Sequence, residues 1–165
     1  MALTRLSASR SKLAVFALLA IAAFSSHAQG RFTVSADGTE VSDPKSGLSW
    51  RRCAEGLQWD GKACTGKLLK FTFAGAKKAA TEAASTGKTW RVPTRDELVG
   101  LVDNTHKKPK IDAEAFPKTP SMPFWAVRPG STDDLNAWLV SFSNGKVTGN
   151  VGQAKFPLRL VRSGA

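Results

Sequence analysis

The residues able to do chemistry are few, and they fall in separate places. His106 stands in NTHKKPK, next to Lys107, Lys108 and Lys110. A catalytic histidine must be held against a nucleophile or a carboxylate, and no motif here supplies that partner. A lone histidine in a lysine-rich loop is read as solvated. Asp133, Asp134 and Asn136, in RPGSTDDLN, put three oxygen side chains close enough to help hold a Ca²⁺. Beside Pro129 and Gly130, however, the same residue types are the usual turn formers, and the turn is the reading adopted. WRVPTRDEL gathers two arginines and two acids around a proline. Its acids have a structural explanation: Thr94 followed three residues later by Glu97 is a capping box, and Asp96 and Glu97 sit at the positive end of a helix dipole. No H-E-x-x-H, phosphate-binding loop or dinucleotide-binding glycine pattern occurs. The sequence therefore nominates no catalytic residue, and no metal or cofactor is expected.

The chain opens with a basic stretch containing Arg5, Arg10 and Lys12, and its first acid is Asp37. LAVFALLAIAAF, an apolar run of 12 residues, follows and gives way to SSHAQ. This is the pattern of a secretory signal, too short for the roughly 20 residues that span a bilayer. Residues 1–28 are read as the signal, cut after Ala28, and 29–165 as one domain exported to the periplasm or beyond. No later segment is apolar enough to span a membrane. His27 leaves with the signal, and so do three of the chain's 24 basic residues; against 13 acids the net charge falls from +11 to +8. A basic exported surface suits acidic polysaccharide or lipid head groups, with nucleic acid disfavoured by location.

Export also decides the cysteines. Cys53 and Cys64, in RRCAEGLQWDGKACTG, are the only pair. They lack the C-x-x-C spacing of a redox couple and the ligand number of a tetrahedral metal site. One structural disulfide is expected.

The elements that position these residues read as α+β. RFTVSADGTEVSD turns at Asp37-Gly38 as a hairpin, and GLSWRRC is a strand ending at Cys53. FTFAGAKKAATEAASTGK is a helix capped by Thr72, with Phe73, Ala76, Ala80, Ala83 and Ala84 on one face and Gly87 at its end. A second helix starts at Thr94 and buries Leu98, Leu101 and Val102. One helical turn over Ile111 to Phe116 with Asp112 as cap precedes the strands FWAV, AWLVSF, KVTGNV and PLRLVR, with Asn144-Gly145 as a hairpin turn. Trp50, Trp90 and Trp138 belong to the core, Trp59 covers one of its edges, and Trp125 either packs inside or borders the RPGSTDDLN loop.

GLSWRRC, the WDG before Cys64, WRVPTRDEL, IDAEAFP, FWAV, AWLVSFSNG and PLRLVR, in that order, resemble a bacterial family. It is typified by the C-terminal domain of the Legionella collagen-like adhesin, and the likeness runs from about Gly47 to Arg162. The resemblance implies a C-type-lectin-like fold, two helices on a twisted antiparallel sheet with long loops, distantly akin to the sulfatase-modifying factors. It also implies an exported, non-catalytic module that binds anionic or neutral polysaccharide. The Glu-Pro-Asn, Gln-Pro-Asp and Trp-Asn-Asp motifs of calcium-dependent lectins are missing. The expected ligand surface is Trp125, Arg128, Asp133, Asp134 and Asn136, with Asn144, Lys146 and Asn150 on the following hairpin. An envelope protein partner is the alternative; an enzyme like the sulfatase-modifying factors would need a free thiol. Mass spectrometry of the protein exported by a bacterial host should show Gln29 as the first residue; a chain retaining residues 1–28 would contradict the signal reading.

Overall fold

The computed structural model describes residues 30–128, 137–149 and 153–164. The expected signal segment lies outside them. β1 (Thr33–Val34), β2 (Glu40–Asp43) and β3 (Leu48–Arg51) form an antiparallel meander, and β9 (Val161–Ser163) completes that sheet against β3. A short hairpin, β4 (Leu57–Trp59) and β5 (Cys64–Gly66), follows. Then come α1 (Phe73–Ala84), α2 (Arg95–Val99) and a third sheet of β6 (Pro123–Val127), β7 (Ala137–Ser141) and β8 (Val147–Gly149).

The α+β expectation is met, with three antiparallel sheets where one twisted sheet was expected. The reason lies in how the C-terminal segment joins them. Pro157 has no N–H to give to a ladder, and Leu158 to Leu160 run beside β3 through only two bonds, Arg51 N to Leu160 O and Glu55 N to Leu158 O. Single bridges do the remaining linking: Phe71 with Phe156, Arg91 with Val161, and Thr94 with Val127.

The β6–β7 pair separates two cores. Phe124, Ala126 and Val140 face one, with Trp50, Leu98, Phe116 and Phe142. Trp125 and Leu139 face the other, with Phe73, Ala76, Ala80 and Ala83 of α1. Successive strand residues point to opposite faces, so covering both faces demands the unbroken apolar runs FWAV and AWLV. α1 offers little bulk of its own; its alanine stripe lets the axis come close, and Trp125 fills the space, its ring centre 5.3 Å from those of Phe73, tilted, and Phe156, edge-on. Thr72 accepts from Gly75 N as the cap, the helix stops at Ser85, and Gly87 turns the chain at φ +92°. α2 begins with both bonds of the capping box but lasts only five residues. Asp112 caps one turn through the Glu114 and Ala115 amides.

Cys53 and Cys64 are bonded, which fastens the β4–β5 hairpin to the end of β3. That hairpin was not anticipated. Its Trp59 lies under the Arg52 guanidinium, 3.7 Å from the ring centre, and over Gly38. A Cβ at Gly38 would fall 2.3 Å from the indole nitrogen, and φ there is +73°, so the position requires glycine.

Arg159 is fully buried between these parts. It donates to the Arg51 carbonyl (2.7 Å), the Arg52 carbonyl and Thr119 Oγ1 (2.7 Å), and lies 4.8 Å over Phe116. Burial pushes its pKa down to about 9, with the charge of Glu55 acting in the opposite direction. Arg159→Met would take this donor from the Arg51 and Arg52 carbonyls and from Thr119 Oγ1, at about 1 kcal/mol each. Urea denaturation should show a loss of roughly 3 kcal/mol; an unchanged or higher stability would contradict this role.

Candidate functional site

Among the described residues, those nominated from sequence stand apart. Trp125 is completely buried, and its indole N–H donates to the Phe71 carbonyl at 2.7 Å. It packs inside, and full burial removes it from any exposed ligand surface. Arg128 is exposed just beyond β6. Asn144 and Lys146 are also exposed, but at the other end of the sheet. Val127 pairs with Ala137, whereas the Asn144–Lys146 turn follows Ser141. The length of β7 separates them by roughly 14 Å, at about 3.4 Å per residue. Asp133, Asp134, Asn136 and Asn150 lie outside the described residues, as does the calcium question attached to the first three. Among the described residues, no group of three or more His, Cys, Asp or Glu could hold a metal ion.

A different grouping is present instead. The Lys107–Lys110 stretch and the Asn144–Lys146 turn, treated separately in the sequence, meet through the backbone. Asp103 N donates to Lys110 O (3.0 Å), closing the loop, and Lys110 N donates to Phe142 O (2.7 Å), docking it on the turn. The turn is closed by Gly145 N to Ser141 O (2.7 Å) and Ser141 N to Lys146 O (2.9 Å). Gly145 makes this approach possible, because its Cβ position lies 3.2 Å from a Val102 methyl at φ +77°. Lys107, Lys108 and Lys146 are exposed on this surface, and Lys110 reaches Asn104 Oδ1 at 2.9 Å. Its acid, Asp103, is engaged locally. The Thr105 hydroxyl and amide hydrogen-bond to it, and His106 Nδ1 is 3.1 Å away, which together hold its carboxyl below the usual range. The outward charge is therefore positive.

The acids of WRVPTRDEL are committed to structure. Burial opposes ionisation of Glu97, but two bonds from Arg91 (2.8 and 2.7 Å) and one from Thr94 N (2.7 Å) outweigh it and depress its pKa. Arg95 pairs with Asp96 at 2.7 Å and lies 5.4 Å over Trp138. Glu40 and Arg159 carry the most consequential charges that sequence reasoning missed. Burial opposes ionisation of Glu40 too, yet Lys88 and Arg162 donate to it and hold its pKa below the ordinary value. Nothing local in TEVSD signals partners 48 and 122 residues away.

Cys53 and Cys64 leave no free cysteine among the described residues. Such a crosslink belongs to oxidising compartments. Among the described residues no helix is long and apolar enough to cross a membrane. A small disulfide-tied α+β domain with lysines on adjoining loops has the form of an extracytoplasmic binding module. The sequence model of the Lcl C-terminal domain matches residues 39–162, and the chain belongs to that family. Membership makes it an adhesin-related module. No curated protein and no solved structure matches it significantly.

Glu40 supplies a pH prediction. Its folded pKa is depressed, so its contribution is present above the unfolded carboxyl range and disappears as pH falls through the folded value. Glu40→Gln should cost about 1 kcal/mol at neutral pH, because Lys88 is half exposed and screened. The difference from the parent should shrink toward acid pH in paired denaturation series. A difference that persists or grows in acid would contradict the assignment.

Proposed function

We propose that this chain is an exported, non-catalytic module that recognises anionic polysaccharide at the cell envelope or outside the cell. The observation that carries this reading is the joining of Lys107, Lys108 and Lys110 to Lys146 across two hydrogen-bonded loops. Ammonium groups on such a surface act as strongly hydrated point charges. They attract sulfate or carboxylate groups spaced along a polymer without selecting one sugar, and the attraction weakens with salt. Asn144, whose Oδ1 is taken by Lys146 N at 2.9 Å, keeps its amide nitrogen for a hydroxyl. Family membership and the net positive charge support the same reading. Arg128 and the loop to Asn136 remain a second contact region for a long chain to reach. The C-type-lectin-like kinship implied by the sequence resemblance is part of this proposal, since that frame presents ligands to loops.

Dextran sulfate and uncharged dextran of matched length separate charge from sugar recognition. Dextran sulfate should bind at about 0.05 M NaCl and release by about 0.5 M, where screening shortens to a few ångströms. Combining Lys107→Ala, Lys108→Ala and Lys146→Ala should weaken binding roughly tenfold, about 1.4 kcal/mol for three exposed charges. Salt-independent binding, or equal binding of both polymers, would overturn the proposal.

A further inference from the structure

An open cleft of about 440 Å³ lies between the β4–β5 hairpin and the segment leaving α1. It shares no residue with the lysine surface described above. Of its lining, Trp90 and Glu40 are buried, Leu57 and Trp59 are half-buried, and Thr39, Gln58, Thr86 and Lys88 are exposed. Arg51 enters from β3, its guanidinium 5.3 Å over the Trp90 ring.

The charges in this cleft are layered. Lys88 and Arg51 expose 53% and 35% of their side chains, whereas the carboxylates that hold them, Glu40 and Glu55, expose 11% and 13%. A ligand entering from solvent therefore meets the cations first. Glu40 anchors Lys88 and also takes Arg162 at 2.7 Å, while Glu55 holds Arg51 at 3.2 Å. The cation heads are thus positioned before any ligand arrives, which lowers the ordering cost of binding. The hairpin side is fixed as well: Arg52 stacks on Trp59, Gly38 backs it, and the Cys53–Cys64 bond ties the hairpin down.

From this geometry we infer a second ligand site, built for one or two sugar units bearing a carboxylate: a uronate residue. The size is that of a small-molecule site. Arg51 offers a planar fork that matches a carboxylate, and Lys88 adds a point charge beside it. The Gln58 amide can pair with ring hydroxyls in either sense, and the Thr39 and Thr86 hydroxyls, whose protons go to Asp37 Oδ2 and the Ala83 carbonyl, can accept from them. Leu57, with the part of Trp59 that Arg52 and Gly38 leave uncovered, gives the sugar an apolar contact. The lysine surface would hold a charged polymer loosely, whereas this cleft would select a particular unit or chain end. It goes beyond the polysaccharide proposal, and either can fail without the other.

The test titrates the mature chain with digalacturonate, reading tryptophan fluorescence and calorimetric heat, with digalactose, inorganic sulfate and a short free-carboxylate peptide as comparisons. Digalacturonate should bind saturably at about 1 mM or tighter. Lys88→Met should weaken it at least about tenfold, Gln58→Ala several-fold, and Lys88→Arg should restore it. The triple lysine-to-alanine variant at 107, 108 and 146 should bind digalacturonate normally. No saturation, equal affinity for digalactose, equal or better binding of sulfate or of the peptide, or insensitivity to Lys88→Met would each overturn the assignment.

Discussion

A single guanidinium, with no carboxylate among the described residues in contact, stands at the centre of this fold. Arg159 binds the carbonyls of Arg51 and Arg52, where β3 ends and the disulfide loop begins, and reaches Thr119 on the approach to β6. Arg51 and Arg52 give their amides to Leu160 and Thr39, and Arg159 supplies the donor that their carbonyls take, a pairing that native structures rarely omit. Arginine has several donors in a rigid fork, and it can serve carbonyls from two directions while its plane covers Phe116. Its neighbours Leu158 and Leu160 point into the other core. One short segment thus ties together a four-stranded sheet, a disulfide-bound hairpin and the three-stranded sheet.

Much of this was legible because it depends on local chemistry. Thr72 and Thr94 are caps that their next few residues reveal, and the apolar runs FWAV and AWLV announce strands. Cysteine pairing followed from number and compartment. What remained hidden depends on contacts distant in sequence. In PLRLVR, alternation sets Arg159 opposite Leu158 and Leu160, and no neighbouring residue says that the second face is also covered. Trp125 could have bordered a loop; only the arrival of Phe71 and Phe156 encloses it. The described members of the candidate surface stand apart for a similar reason. Arg128 follows β6 and Lys146 precedes β8, at opposite ends of one sheet, and its strands hold those ends apart. The lysine loop and the Asn144–Lys146 turn are distant in sequence, and backbone bonds unite them.

The charge distribution follows one rule throughout. Acids tend to be spent inward, on caps, turns and buried partners, as Glu97, Asp43 and Glu40 illustrate. Lysines on the loops are left facing water. A protein with a modest excess of cations can therefore present a surface that is more positive than its composition implies. That arrangement fits an adhesin-related module, in which loops make contact and the core and crosslink preserve their placement.

The most direct measurement of the central claim is amide chemical-shift mapping of the protein with a sulfated oligosaccharide at low salt. The account predicts that the largest shifts cluster at Lys107, Lys108, Lys110, Asn144 and Lys146, on both loops together. Shifts confined to one loop, or spread evenly over the basic residues of the molecule, would contradict it.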